Sequence, residues 1–128
     1  MSPLKTLITV AALSASLLLS AGAHAHPKLL SSTPAEGATV TAPANIELNF
    51  SEKLTTQFSG AKLIMTEMPG MAVHSPMGVK ASVVGAADPN MMVITPTAPL
   101  TPGTYKVEWR AVSTDTHPIT GTVTFKVK

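Results

Sequence analysis

Cysteine is absent from all 128 residues. No disulfide can staple the fold, and no thiolate is available as nucleophile or metal ligand. Any metal chemistry must therefore use nitrogen, oxygen or thioether donors, and the groups that a redox-active metal most readily oxidises are missing. Charge is also scarce, at 12% of residues with a formal net charge of +2. No basic block exists to neutralise phosphates, which excludes a nucleic-acid partner. Aromatic residues make up only 4% of the chain, and the aromatic and arginine-rich signatures of RNA modules are missing. A nucleophile elbow, an H-E-x-x-H helix and a Gly-rich phosphate loop are all absent as well.

Long apolar runs are limited to the first segment. Met1 to Lys5 is short and basic, Leu7 to Leu19 carries no charge, and Ala23-His24-Ala25 is an A-x-A cleavage site. This pattern predicts a secretory signal peptide over residues 1–25, too short in its apolar part to span a bilayer, the alternative being an uncleaved anchor. Residues 26–128 then form one exported domain, nearly neutral once Lys5 has left, with His26 as its first residue.

The mature part is rich in Thr, Val, Pro and Ala, with short apolar runs broken by Pro or Gly. No window sustains a helical stripe. Seven short strands are expected near 28–32, 45–50, 61–66, 79–84, 91–95, 104–112 and 120–127. Alternation is clearest late in the chain. Tyr105, Val107, Trp109 and Ala111 share one face, as do Val123, Phe125 and Val127. The expected fold is all-β, with seven or more antiparallel strands in a sandwich or Greek-key barrel.

If consecutive strands alternate in direction, parity places the loops. His26, Glu52, Asp115 and His117 fall at one end of the domain, and the segment from Met65 to Met77 falls at the other. At the first end, cleavage after Ala25 frees an amine on His26, which can chelate a metal together with its ring nitrogen. Pro27 has no N–H, so the usual amide-bound copper–peptide arrangement is excluded and the remaining ligands must come from elsewhere in the fold. Asp115-Thr116-His117-Pro118 supplies them. Read as extended chain, it turns Asp115 and His117 to the same side and Thr116 away. An amine, two imidazoles and a carboxylate suit tetragonal Cu(II). Glu52 is a further candidate, as ligand or outer-shell partner. Zn(II) accepts the same donors.

The opposite end argues for copper. Four of the six methionines beyond Met1 lie between residues 65 and 77: Met65, Met68, Met71 and Met77. Thioethers are soft and favour Cu(I) over hard ions, and His74 adds a nitrogen. A methionine stripe can instead pack a core or meet a partner. A core helix is excluded here by Pro69-Gly70 and Ser75-Pro76. Met91 and Met92, adjacent in a strand, read as packing.

The stretches HPKLLSSTPAEGA, NFSEKLTTQFSGAKL, MPGMAVHSPM and GTYKVEWRAVSTDTHPITGTVTFKVK together resemble the CopC/PcoC family of periplasmic copper-resistance proteins, over essentially all of residues 26–128. The resemblance implies a Greek-key β-barrel related to cupredoxin-like sandwiches. It implies Cu(II) at His26, Asp115 and His117, with Glu52 nearby. It implies Cu(I) at Met65, Met68, Met71, His74 and Met77, although Ala72-Val73 makes this loop one residue longer than the family's usual spacing. The leading reading is a monomeric periplasmic copper carrier or buffer and not an enzyme, because two sites of different softness let one protein hold and release either oxidation state. The resemblance also implies its partners, a multicopper oxidase and an inner-membrane copper protein. The competing function is a histidine-brace copper oxidase of the monooxygenase type, which needs an open copper position and a substrate platform that buried Tyr105 and Trp109 would not provide.

Overall fold

The computed structural model describes residues 26–71 and 75–128. Residues 1–25, where a signal peptide is expected, and His74 lie outside the described residues. Among the described residues nine strands follow in chain order: β1 (Leu29–Thr33), β2 (Thr39–Val40), β3 (Ile46–Phe50), β4 (Gly60–Glu67), β5 (Met77–Val79), β6 (Ala81–Gly85), β7 (Met91–Pro96), β8 (Gly103–Val112) and β9 (Pro118–Val127). They form two sheets, ordered β1-β3-β7-β6 and β2-β9-β8-β4-β5. No helix occurs among the described residues. The all-β sandwich expected from the alternation is the observed architecture.

Two strand assignments change. The single strand expected over 79–84 is two strands on different sheets. β5 pairs with β4 and β6 pairs with β7, and the chain crosses between sheets at Lys80, whose carbonyl accepts a bond from Thr97 N–H at 2.9 Å. Strands that turn a sandwich corner in this way leave no break in the apolar pattern. β2 was not anticipated because two residues carry no visible period, and it pairs with β9 in parallel, against the expectation of an antiparallel fold throughout. Neither change disturbs the parity of the loops. β5 and β6 run in the same direction, and β2 merely interrupts one connection.

The interior is built from alternating residues of facing strands. Ile46, Leu48 and Phe50 of β3 oppose Tyr105, Val107, Trp109 and Ala111 of β8 and Val123, Phe125 and Val127 of β9, all buried. Each fully buried aliphatic or aromatic side chain contributes about 1.5–3 kcal/mol of transfer free energy. The Phe50 ring meets Trp109 edge-on at 5.1 Å, and Tyr105 stacks on Phe125 at 5.6 Å. The Tyr105 hydroxyl donates to the Thr101 carbonyl at 2.6 Å, satisfying its one polar atom by a bond to backbone just upstream, as the tyrosine corner of Greek-key sandwiches does.

Trp109 is accommodated by a missing side chain. It pairs across the ladder with Gly121, where an added Cβ would lie 2.4 Å from the indole Cζ2. The Gly121→Ala variant is expected to lose about 1–3 kcal/mol of stability through overpacking, read by urea denaturation. Parental stability would show that the indole can swing clear.

Candidate metal centre

The long hairpin of β8 and β9 pairs ten residues on ten, from Gly103 with Val127 to Val112 with Pro118. Five residues, 113–117, close it at one end. The foot of this loop is clamped. The Ser59 hydroxyl accepts from Val112 N–H at 2.9 Å, and the Val112 carbonyl accepts from Thr55 N–H at 2.7 Å. Within the loop, Thr116 N–H donates to the Ser113 carbonyl at 3.0 Å, closing a turn.

Thr116 has φ 65°, the left-handed region that a β-branched residue adopts only at a cost of about 1–3 kcal/mol. The segment is therefore a tight turn and not the extended chain expected from sequence. Asp115 and His117 still meet on one side, because the left-handed residue swings His117 back over the carboxylate.

Residues 26–28 arrive from the other sheet. Pro27 is fully buried. Beyond it, Lys28 N–H donates to the Ser51 hydroxyl and Ser51 N–H donates to the Lys28 carbonyl, both at 2.9 Å. The ring without an N–H is thus an apolar plug, and the bonds at Lys28 fix the strand entry. His26 is left exposed against the hairpin loop.

Its Nδ1 lies 2.9 Å from Asp115 Oδ2, and Nδ1 of His117 lies 3.7 Å from the same oxygen. The two imidazole centroids are 5.8 Å apart. One donor atom from each of His26, Asp115 and His117 lies within 4.8 Å of the others. A four-coordinate ion with bonds of about 2.0–2.2 Å holds its ligand atoms roughly 3–4 Å apart, so modest side-chain rotation closes this set on one ion. The two imidazoles are well exposed, whereas the carboxylate is 17% exposed.

Partial burial pushes the Asp115 carboxyl up, but other interactions outweigh it. Bonds from His117 N–H and the Ser113 hydroxyl, with the two imidazoles nearby, hold it below the ordinary value of 3.8. Glu52 lies at the same end, half-buried and next to Ser51, but is not among the three residues whose donors converge.

Residues that sequence reasoning passed over support the set. Ser113 is buried and bonds the carboxylate, and Ser51 fixes the N-terminal strand. The S-x-D spacing of Ser113 and Asp115 carried a turn signal that could have found the first. The second depends on contacts between segments remote in sequence.

At the opposite end, Met68-Pro69-Gly70-Met71 forms a turn with Gly70 at φ 79°, the type II pattern with Pro then Gly at its centre. Met71 N–H donates to the Met68 carbonyl at 3.1 Å, and the two methionines form a bridge pair, which sets their side chains beside each other. Both are exposed. Met77 opens β5 opposite Met65 of β4. Met77 is 47% exposed, whereas Met65 is 5% exposed and belongs to the core. Both line a cleft of about 390 Å³ with Leu100 and Tyr105. Met92 is buried in the core and Met91 half-buried.

Fold and site define a small β-sandwich with a surface cluster of candidate metal ligands, brought together from the segment before β1 and a hairpin loop, and with exposed methionines at the far end. The CopC domain matches residues 29–128, and the chain belongs to the CopC family. It is 73% identical over 114 residues to copper resistance protein C of Pseudomonas syringae pv. tomato, covering 89% of this chain and 90% of that one. It is 62% identical over 106 residues to copper resistance protein C of Escherichia coli, covering 83% and 84%. The crystal structure of PcoC, a methionine-rich copper resistance protein from Escherichia coli, superposes with a TM-score of 0.76 at 60% identity, covering 81% of this chain and all of that one.

The lowered carboxyl of Asp115 has a consequence for acid stability. Because the folded group releases its proton more readily than the unfolded one, its stabilising contribution is complete above about pH 4. It is lost as pH falls through the lower folded value. In the metal-free protein, the stability gap between the parent and Asp115→Asn is therefore expected to narrow below about pH 4, as read by thermal melts from pH 2 to 7. A gap constant across this range would show that the neighbours do not favour the ionised form.

Proposed function

We propose that the mature protein is a periplasmic copper carrier or buffer in copper resistance or homeostasis, released by cleavage after Ala25, and not an enzyme. Cu(II) binds at the His26 amine and ring, Asp115 and His117, with Glu52 nearby. Cu(I) binds at the far end through methionines drawn from Met65, Met68, Met71 and Met77, with His74. The observation that carries this reading is the convergence of His26, Asp115 and His117 within 4.8 Å from opposite ends of the domain sequence. The names of the relatives, copper resistance protein C, favour copper over zinc for a donor set that suits both.

Exposure of both imidazoles suits a cargo that must be passed on, because an incoming ligand can reach the metal directly. Asp115 Oδ2 sits against both rings, supplying a donor where an oxygen-activating copper needs a free position. Tyr105 and Trp109 are buried and offer no platform to a polysaccharide. These features favour a carrier over a histidine-brace oxidase. Copper would be exchanged, by a monomer, with a periplasmic multicopper oxidase and an inner-membrane copper protein.

The amine is the decisive ligand to test. A form beginning at His26 is expected to bind one Cu(II) tightly, and a form with one extra N-terminal residue is expected to lose most of that affinity in a competitive titration. Equal binding by both forms would remove the amine from the site and move the function to the methionine loop alone.

The two ends should also respond differently to acid. Nitrogen ligands must shed protons to bind metal, whereas thioethers have none to shed. Lowering the pH from 7 to 5 is expected to weaken Cu(II) binding much more than Cu(I) binding, with both ions bound together at pH 7. Displacement of one Cu(II) by each Cu(I) added at pH 7 would count against two separate sites.

A further inference from the structure

The Asp115 carboxylate is not free on both sides. Its Oδ1 accepts two bonds, from the Ser113 hydroxyl at 3.1 Å and from the backbone N–H of His117 at 3.2 Å. Its Oδ2 is the oxygen that faces Nδ1 of both His26 and His117. One oxygen is thus held by the protein and the other is presented to the imidazoles.

The two tethers differ in rigidity. The His117 N–H belongs to the exposed loop and depends on Thr116 keeping its left-handed backbone. Ser113 is 2% exposed and follows Val112, itself buried and clamped by Ser59 and Thr55. The Ser113 hydroxyl therefore ties the carboxylate to the packed interior, while the surrounding imidazoles stand in solvent.

We infer that Ser113 is a positioning residue for the metal centre, holding Asp115 Oδ1 so that the carboxylate ligates through Oδ2 alone. This rests on the proposed Cu(II) site and adds a residue that touches no metal. A carboxylate pinned at one oxygen cannot close on an ion with both, the grip that large hard ions such as Ca²⁺ commonly take. It would supply one oxygen alongside nitrogen donors, a set that suits Cu(II). The hydroxyl thus selects the coordination mode as well as the orientation of its neighbour, a role typical of outer-shell partners.

The test uses the mature protein beginning at His26, with competitive Cu(II) titration and Cu(II) electron paramagnetic resonance. Ser113→Ala is expected to weaken Cu(II) about tenfold or more and to change the copper hyperfine splitting. Ser113→Thr, which keeps the hydroxyl, should retain the parental spectrum. In an Asp115→Ala background, Ser113→Ala should cause no further loss, because its effect runs through the carboxylate. Three outcomes would overturn the inference while leaving the metal site standing. The first is parental affinity and spectrum in Ser113→Ala while Asp115→Ala binds weakly. The second is an equal additional loss from Ser113→Ala in the Asp115→Ala background, which would mark Ser113 as a fold residue only. The third, should Ser113→Ala fail to fold, is a Ser113→Thr spectrum matching that of Asp115→Ala. Unchanged binding in Asp115→Ala would instead remove Asp115 from the ligand set and overturn both readings.

Discussion

The ladder between β8 and β9 is the constraint on which both ends of this molecule depend. Its ten residue pairs cross the whole sandwich and its inward residues supply much of the core. A ladder of this length leaves little freedom of register, because a one-residue slip would turn the inward set of one strand to solvent, either Tyr105, Val107 and Trp109 or Val123 and Phe125. With the register set, the loop that closes the hairpin must emerge at a defined place and carry Asp115 and His117 with it. At the far end of the same ladder, Thr104 pairs with Glu67, the residue before the methionine turn, and the Thr104 hydroxyl donates to the Glu67 carboxylate.

The candidate metal centre is assembled by packing and not by local sequence. Pro27 and Ser51 hold the first strand, Ser59 and Thr55 hold the end of β8, and the two groups meet at the surface. Pro27 serves twice. Its missing N–H leaves no amide to deprotonate beside His26, and its buried ring fixes the point from which His26 projects. The strain stored at Thr116 fits the same logic, since a costly backbone persists only where its surroundings over-determine it.

The methionine end follows a different physical rule. Thioethers are apolar enough to pack and soft enough to bind Cu(I), so one residue type serves the core at Met65 and Met92 and lies exposed at Met68, Met71 and Met77. The type II turn needs no metal to exist. Proline presets one dihedral, Gly70 accepts the positive φ, and the flanking methionines are brought side by side.

Much of this was legible in the chain itself. Period-two alternation in β8 and β9 exposed the sandwich and its inward face. Donor chemistry singled out His26, Asp115, His117 and the methionines as candidate ligands, and strand parity sorted them to the two ends where the fold places them. The corner at Lys80 and the two-residue β2 were illegible, because a sheet switch preserves the apolar pattern and two residues have no period. The sequence by itself determined which atoms could bind a metal, since donor type is a property of the side chain. Only the tertiary structure decided the rest: that the 113–117 segment is a strained turn, that one carboxylate oxygen is tied to Ser113, and that Glu52 stands outside the convergent set. Those outcomes depend on distances between segments remote in sequence, which are set by burial of Pro27, Val112 and the β8–β9 core and by no local preference of the residues concerned.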